Sequence, residues 1–468
     1  MVMEVATMQN INFVKFSELY NWSVQYLLDD QFSYNKDFPL VAIGKFLKRN
    51  KTNILIENDK TYKRVTIKTN KGGVFLRDVV KGDKIGTKKQ FKVKSGQFIV
   101  SKIDARNGAF GVVTNEVDGA IITGNFWTFD VDYNLINPHY LSLITTTPEF
   151  IRFCEKSSTG TTNRHYLQQD LFLEVQIPLP PLNAVNAIKQ GLSTAITQEK
   201  LVADYNQKIK QAKQAEKNAI SKEAEIQTYL LNELGVKSTL TVSSKGLRFV
   251  KFKDIDDWSS KQTDPNNLLF SSKFVNKKIK EIAEVNPPTS FSKLDKDLEA
   301  SFIPMTNISD VDGEVKLYSP GKVSLSSGYT KFQDGDLLWA RITPCMQNGK
   351  SAIVQGMQNG IGYGSTEYHR IRTESKVLTK YIHLLLRNDM VLNSAKNYFT
   401  GSSGQQRVPK SFLENLSIPI PPELIMENII NTIYQKRGEI KLENKLSEEL
   451  KKQAIIDFEN IIFNTQAE

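Results

Sequence analysis

Two loops carry the side chains best suited to holding a polyanion: Ser157-Ser158-Thr159-Gly160-Thr161-Thr162-Asn163-Arg164 and Gly401-Ser402-Ser403-Gly404-Gln405-Gln406-Arg407. Small residues let backbone N–H groups approach a phosphate, and hydroxyls add donors. Arginine can bridge phosphates or take O6 and N7 of guanine, while Asn or Gln can read N6 and N7 of adenine. The plain alternative is a turn whose arginine caps a strand, and two copies in register weigh against it. A second pair of stretches is Ser101-Lys102-Ile103-Asp104-Ala105-Arg106-Asn107-Gly108 and Ala340-Arg341-Ile342-Thr343-Pro344 with Gln347-Asn348-Gly349-Lys350. Each sets basic and amide side chains in a tight turn after an apolar strand, where the end of a sheet can present them; a hairpin turn with ordinary surface charge is the competing reading. Trp127 and Trp339 read as core residues rather than base-stacking platforms.

Other candidate chemistry falls away. Asn286-Pro287-Pro288-Thr289 is close to the Asn-Pro-Pro-aromatic motif of amino-methyltransferases, but its fourth residue is Thr and no Gly-rich cofactor loop precedes it, so it reads as a turn. Gly72-Gly73 and Gly362-Tyr363-Gly364 lack the strand-and-helix context of a dinucleotide or phosphate loop. Four histidines and two cysteines show no metal-ligand spacing. No Ser/His/Asp set or carboxylate-lysine nuclease cluster stands out. The chain reads as having no active site of its own.

The elements that must position these loops come in duplicate. Phe13-Val14-Lys15-Phe16 with Trp22-Ser23 returns as Phe249-Val250-Lys251-Phe252 with Trp258-Ser259. Ile43, Phe46 and Asn50 return as Ile279, Ile282 and Asn286; Gly96 returns as Gly335; Pro138-His139-Tyr140-Leu141 corresponds to Thr379-Lys380-Tyr381-Ile382. Each copy reads as a β-rich region, a helical hairpin, a Gly/Ser/Thr loop and a connector, Ile177-Pro178-Leu179-Pro180-Pro181 or Ile418-Pro419-Ile420-Pro421-Pro422. The β-rich parts diverge most.

A long helical pattern follows each connector. The first spans Asn183 to Leu234, with Val185, Ile188, Leu192 and Ala195, then Val202, Tyr205, Ile209 and Ala212, at helical spacing and Gly235 as its stop. At that length it measures roughly 75 Å. The second spans Glu423 to Phe463, with an apolar edge at Ile429, Ile433 and Ile440 continued by Leu450 and Ile455. Helices with one narrow apolar stripe need partners, so an antiparallel coiled coil is expected; one amphipathic helix packed on each domain's own core is the alternative.

Composition sets the bounds. The 468 residues carry a net charge of +10, which suits a polyanionic partner. No stretch approaches a membrane span. Met1 to Asn10 lacks the pattern of a secretory signal, and the cysteines, Cys154 and Cys345, do not suggest a disulfide framework, so a cytoplasmic setting is expected.

Two diverged globular units, each followed by a Gly/Ser/Thr loop, an Ile-Pro-x-Pro-Pro connector and a long helix, resemble the DNA specificity subunit of Type I restriction–modification systems. The resemblance covers Phe13 to Phe463 and is most specific from Gly404-Gln405-Gln406-Arg407-Val408 to Pro422. It implies an α+β chain of two mixed β-rich/α target recognition domains, residues 1–182 and 236–422, with spacer helices over 183–235 and 423–468 forming the coiled coil. It also implies a non-catalytic, bacterial or archaeal protein that reads a bipartite, asymmetric site in double-stranded DNA. S-adenosylmethionine would then sit on modification subunits docked along the helices, which methylate adenine N6, and ATP and Mg²⁺ on restriction subunits. Two readings from other classes stay open: an RNA-binding or scaffold protein on the same frame, and an enzyme in its own right.

Overall fold

A computed structural model describes residues 34–69, 73–159, 166–236, 268–401 and 405–463. The repeats at Phe13–Phe16, Trp22–Ser23, Phe249–Phe252 and Trp258–Ser259 lie outside the described residues. The chain divides into two compact units: residues 1–214 with 447–468, and residues 215–446.

In the first unit β1 (Leu40–Ala42) is followed by β2 (Leu47–Asn50), β3 (Asn53–Leu55), β4 (Thr61–Lys68), β5 (Gly73–Lys81) and β6 (Lys89–Lys92). Then come β7 (Phe98–Ser101), β8 (Phe110–Val112), β9 (Ile121–Ile122) and β10 (Phe126–Val131). The expected helical hairpin is α1 (Pro138–Thr145) and α2 (Pro148–Lys156), with Asn137 and Thr147 as N-caps. The strands β11 (Ser158–Thr159) and β12 (Tyr166–Leu167), the helix α3 (Gln169–Glu174), the strand β13 (Gln176–Pro178) and the helix α4 (Ala184–Lys189) complete the stretch before the long helix α5 (Gln198–Glu233). A four-stranded antiparallel sheet, β2-β10-β7-β8, stands beside a five-stranded one, β3-β6-β9-β4-β5. The Pro-rich connector is itself a strand: β13 pairs antiparallel with β1.

The second unit repeats that frame. It contains β14 (Val275–Lys278), β15 (Glu284–Val285), β16 (Glu299–Ile303), β17 (Ser319–Lys322), β18 (Thr330–Gln333), β19 (Leu337–Ala340), β20 (Ser351–Ile353), β21 (Ile361–Gly364) and β22 (Tyr368–Arg372). The helices α6 (Lys376–Leu386), α7 (Asp389–Lys396) and α8 (Lys410–Asn415), the strand β23 (Ser417–Ile420) and the helix α9 (Glu423–Phe463) follow. The sheet β15-β22-β19-β20 matches β2-β10-β7-β8 in strand order, and β14 pairs with β23 as β1 does with β13. The other sheet, β17-β16-β21-β18, has a different strand count and order. One bond explains why the tyrosine and proline motifs recur together. Tyr140 donates its hydroxyl to the Pro178 carbonyl at 2.7 Å, and Tyr381 donates to the Pro419 carbonyl at 2.8 Å. Both tyrosines are fully buried and have no other route to a partner in water.

The first long helix starts later than its sequence pattern suggests. Residues 183–235 are not one rod: α4 ends at Lys189, Gly191 takes φ +68°, and α5 begins at Gln198. A left-handed residue ends a right-handed helix. Thr197 then caps the new one by accepting from the Lys200 N–H at 3.2 Å. Gln198 fixes the start: its side chain accepts from the Asn137 N–H and donates to the Leu135 and Pro180 carbonyls. With 36 residues α5 measures about 54 Å, not 75 Å. Val185 and Ile188 are 59% and 70% exposed, so they belong to no helix seam.

Neither long helix forms a body apart from the globular units. In the first unit Leu201 and Val202 of α5 share a core with Phe458, Ile462 and Phe463 of α9, together with Tyr140, Phe150 and Phe172. Asn35 satisfies the last carbonyls of α9, its backbone N–H reaching Ile462 and its side chain Ile461. In the second unit Ile226 and Leu230 of α5, with Leu234 just past its end, join Ile429, Ile430 and Ile433 of α9 against Tyr381 and Leu385. The helices run antiparallel there, Lys222 meeting Glu439 at 2.8 Å and Lys436 meeting Glu225 at 3.1 Å. These pairs are partly exposed and set register more than stability; burial of the Ile and Leu stripe supplies the adhesion.

Candidate nucleic-acid interface

In both units a fully buried strand of the matched sheet, β7 or β19, ends in a turn that carries the predicted basic and amide side chains. The Ser101 N–H donates to Ala109 across the first turn, and the Ala340 N–H donates to Lys350 across the second. Gly108 and Gly349 both take φ +73°, which a side chain would strain. The Gly/Ser/Thr loops close at matching points: Thr159 pairs with Tyr166, and Thr400 with Arg407. The backbone then ties turn to loop. The Leu167 N–H donates to Lys102 at 2.9 Å, the Val408 N–H to Arg341 at 2.8 Å, and the Thr343 N–H to Gln406 at 3.0 Å. Two constellations that lie some sixty residues apart in sequence therefore adjoin in each unit.

This geometry corrects the sequence alignment of the loops. Thr159 with Tyr166 closes one loop and Thr400 with Arg407 the other, so Arg407 corresponds to Tyr166. The sequence matched Arg with Arg, whereas the ladder that closes the loop fixes the true register. Gly160, Thr161, Thr162, Asn163 and Arg164 lie outside the described residues, as do Ser402, Ser403 and Gly404.

The side chains of the two sites differ sharply. In the second unit Glu367, which the sequence reading missed, clamps two guanidinium groups. Arg407 donates from Nη2 at 2.7 Å and from Nε at 2.9 Å, and Arg341 donates from Nε at 3.2 Å. The hydrogen bond from Arg407 is the main reason that the Glu367 carboxyl is held below the usual carboxylate range. Arg407 also donates from Nη1 to its own loop, at the Gln405 carbonyl. The terminal amino groups of Arg341 have no partner among the described residues. Gln347, Asn348 and Gln405 are exposed, whereas Lys350 spends its ammonium on the Met305 carbonyl. A half-buried arginine, Arg387, holds the turn, donating to Gly349 at 2.6 Å; desolvation lowers its pKa to about 10.

In the first unit Asn125 takes the place of Glu367: its carbonyl accepts from the Lys102 N–H as that of Glu367 accepts from Arg341. The Lys102 ammonium lies 5.9 Å above the Trp127 ring, and its pKa is lowered by burial and then by the charge of Arg49. Arg49 is bound by the carbonyls of Thr128 and Phe126 and lies over the Phe129 ring, with no carboxylate partner among the described residues. Arg106 is half-buried and Asn107 exposed. Trp127 and Trp339 are buried, as expected of core residues.

The Asn-Pro-Pro-Thr segment is structural. Asn286 takes φ +53°, accepts the Arg370 N–H at 2.9 Å and donates to His369 Nδ1 at 3.0 Å. That donor leaves His369 protonated on Nε2, which donates to the Val408 carbonyl at 2.9 Å beside the Arg407 loop. Burial is the main reason its pKa falls to about 4. No cluster of His, Cys, Asp and Glu suited to a metal is present among the described residues, and none of the described helices is long and apolar enough to cross a membrane.

Comparison with known proteins matches this duplicated frame. The Type I restriction modification DNA specificity domain family matches residues 35–211 and again 271–452. The specificity subunit of the Type I restriction enzyme EcoAI of Escherichia coli is 44% identical over 151 residues, 32% of this chain and 25% of that protein. Its EcoEI counterpart, also from Escherichia coli, is 40% identical over 160 residues, 33% of this chain and 26% of that protein. The matched stretch thus spans about a quarter of each relative. A chain from a solved structure concerned with complex assembly and conformational transition of the type I R-M system has a TM-score of 0.57 at 13% identity. The likeness covers 94% of this chain and 100% of that one, and it is one of fold.

Proposed function

We propose that this chain, which belongs to the Type I restriction modification DNA specificity domain family, is the non-catalytic subunit that gives such a system its DNA sequence. Each unit reads one half of a bipartite, asymmetric site in double-stranded DNA, using the turn at Lys102 or Arg341 and the adjoining Gly/Ser/Thr loop. Modification subunits, carrying S-adenosylmethionine and methylating adenine N6, dock along α5 and α9. Restriction subunits that use ATP and Mg²⁺ join the larger complex, and the assembly works in the cytoplasm. One observation carries the reading: in both units the backbone joins the basic turn to the Gly/Ser/Thr loop through equivalent hydrogen bonds, Leu167 to Lys102 and Val408 to Arg341. A duplicated pair of sites on matching sheets, with unlike side chains, suits two readers of different half-sites.

The test is an exchange of halves. Replacing residues 34–182 with the matching part of a relative is expected to change one half of the methylated motif and leave the other as it was. A change in both halves, or in neither, would overturn the two-reader assignment.

A further inference from the structure

The charge of this chain is concentrated in one place. Between Asn50 and Gly96, residues 51–95 hold thirteen Lys and Arg against four Asp and Glu, a net of +9 where the whole chain has +10. The equivalent interval of the second unit, residues 287–334 between Asn286 and Gly335, holds five against seven, a net of −2. These intervals supply β3 to β6 of the first unit's five-stranded sheet and β16 to β18 of the second unit's sheet. The contrast therefore belongs to the two sheets that do not match.

Much of the first sheet's charge is uncompensated. Arg64 is spent on Asp78, and Lys60 on Glu57. Lys51, Lys81, Lys84, Lys89, Lys92 and Lys94 are exposed and have no side-chain partner among the described residues. Unpaired lysines gathered on one sheet region raise its positive potential, which a polyanion would meet. The strand-end site shows the same difference: among the described residues Arg49 and Lys102 have no carboxylate partner, while Arg341 and Arg407 share Glu367.

We propose that the five-stranded sheet of the first unit is a phosphate-gripping surface for duplex DNA. It supplies most of the salt-dependent, sequence-independent affinity, while the second unit reads its half-site with little such grip. This rests on the DNA-binding reading above and adds a division of labour to it. Phosphate contacts by Lys position a protein on the duplex without reading bases, and each releases counterions.

The experiment measures binding of the full chain to a random-sequence duplex across a salt series. Lys84→Gln, Lys89→Gln and Lys92→Gln are combined in one variant; Lys293→Gln, Lys296→Gln and Lys316→Gln, from the second unit, form the control. Removing one lysine–phosphate pairing is expected to flatten the log-affinity against log-salt slope by about 0.9. The first triple should flatten it by about 2–3 and weaken low-salt binding on the order of 10–100-fold, while the second should change the slope by less than about 1. Unchanged melting temperatures would show that both variants fold. Equal effects of the two triples, or no effect of the first while the wild-type chain binds duplex, would overturn the proposal. A wild-type chain that prefers single-stranded RNA, or that binds no duplex at any salt, would overturn the DNA reading itself and this proposal with it.

Discussion

At one cross-strand position the two units keep a hydrogen bond and change its chemistry. In the first, Gln97 donates to Asp130 at 2.7 Å; in the second, Asp336 at the same place accepts from Arg372 at 2.6 and 2.7 Å. The preceding turn is capped identically, by Lys94 N–H on the Gln97 side chain and Gln333 N–H on that of Asp336. The tyrosine-to-proline bond nearby is kept atom for atom. Duplication has thus held the frame to its geometry, while the side chains that meet the frame were free to change as pairs. The two sheets that do not match have shed even that constraint: they differ in strand count, strand order and sign of charge.

The largest expected effect separates the two versions of the cross-strand pair. Arg372→Met would strand the fully buried Asp336 carboxylate and is expected to cost about 3–5 kcal/mol in denaturant unfolding. Gln97→Met takes a neutral donor from the exposed Asp130 and an acceptor from the Lys94 N–H, and should cost about 1–2 kcal/mol. Equal losses would show that the charged pair is no more tightly committed than its neutral counterpart.

A smaller effect follows from pH. Burial lowers His369 to about 4 and His383 to about 3; Arg341, Lys410 and Glu367 face the first, and Arg387 and Arg437 the second. Both are neutral in the folded chain at pH 7, and unfolding lets them bind protons below about pH 6.5. Their contribution is complete above that value and is lost as pH falls toward 4 and 3, on the order of a few kcal/mol in total. The first unit has Trp127 and Ser142 at these places. His383→Ser should therefore flatten the dependence of the denaturation midpoint on pH between 6.5 and 4; an unaltered slope would sink the assignment.

The smallest effect tests sameness. Tyr140→Phe and Tyr381→Phe should each cost about 1 kcal/mol, equally and additively, because each leaves one buried proline carbonyl without its donor. A several-fold difference between them would mean that the two frames are less alike than their bonds indicate.

Local pattern carried much of this protein. Duplication, the Pro-rich connectors, the helical hairpins, the Gly235 stop and the turn at Asn286 all rest on residues close in sequence, where spacing and backbone preference act directly. The same is true of the two constellations proposed to meet DNA, each of which is a short contiguous stretch. What the chain does with distant residues was decided only by the tertiary structure. Glu367 reaches Arg407 across forty residues and Arg341 across twenty-six, and nothing in its surroundings in the sequence marks it. The correspondence of Arg407 with Tyr166 follows from ladder pairing, which side-chain likeness cannot supply. The break before α5 is the instructive failure: Pro-free sequence and apolar spacing favoured one rod, but Gly191 and the Thr197 cap were the weaker local signals that won. They won because burying Gln198 among the carbonyls of Leu135 and Pro180 fixes the helix start from outside the helix. Helical periodicity reports which face of a segment can be buried; where that segment begins depends on the partners that the rest of the fold brings to it.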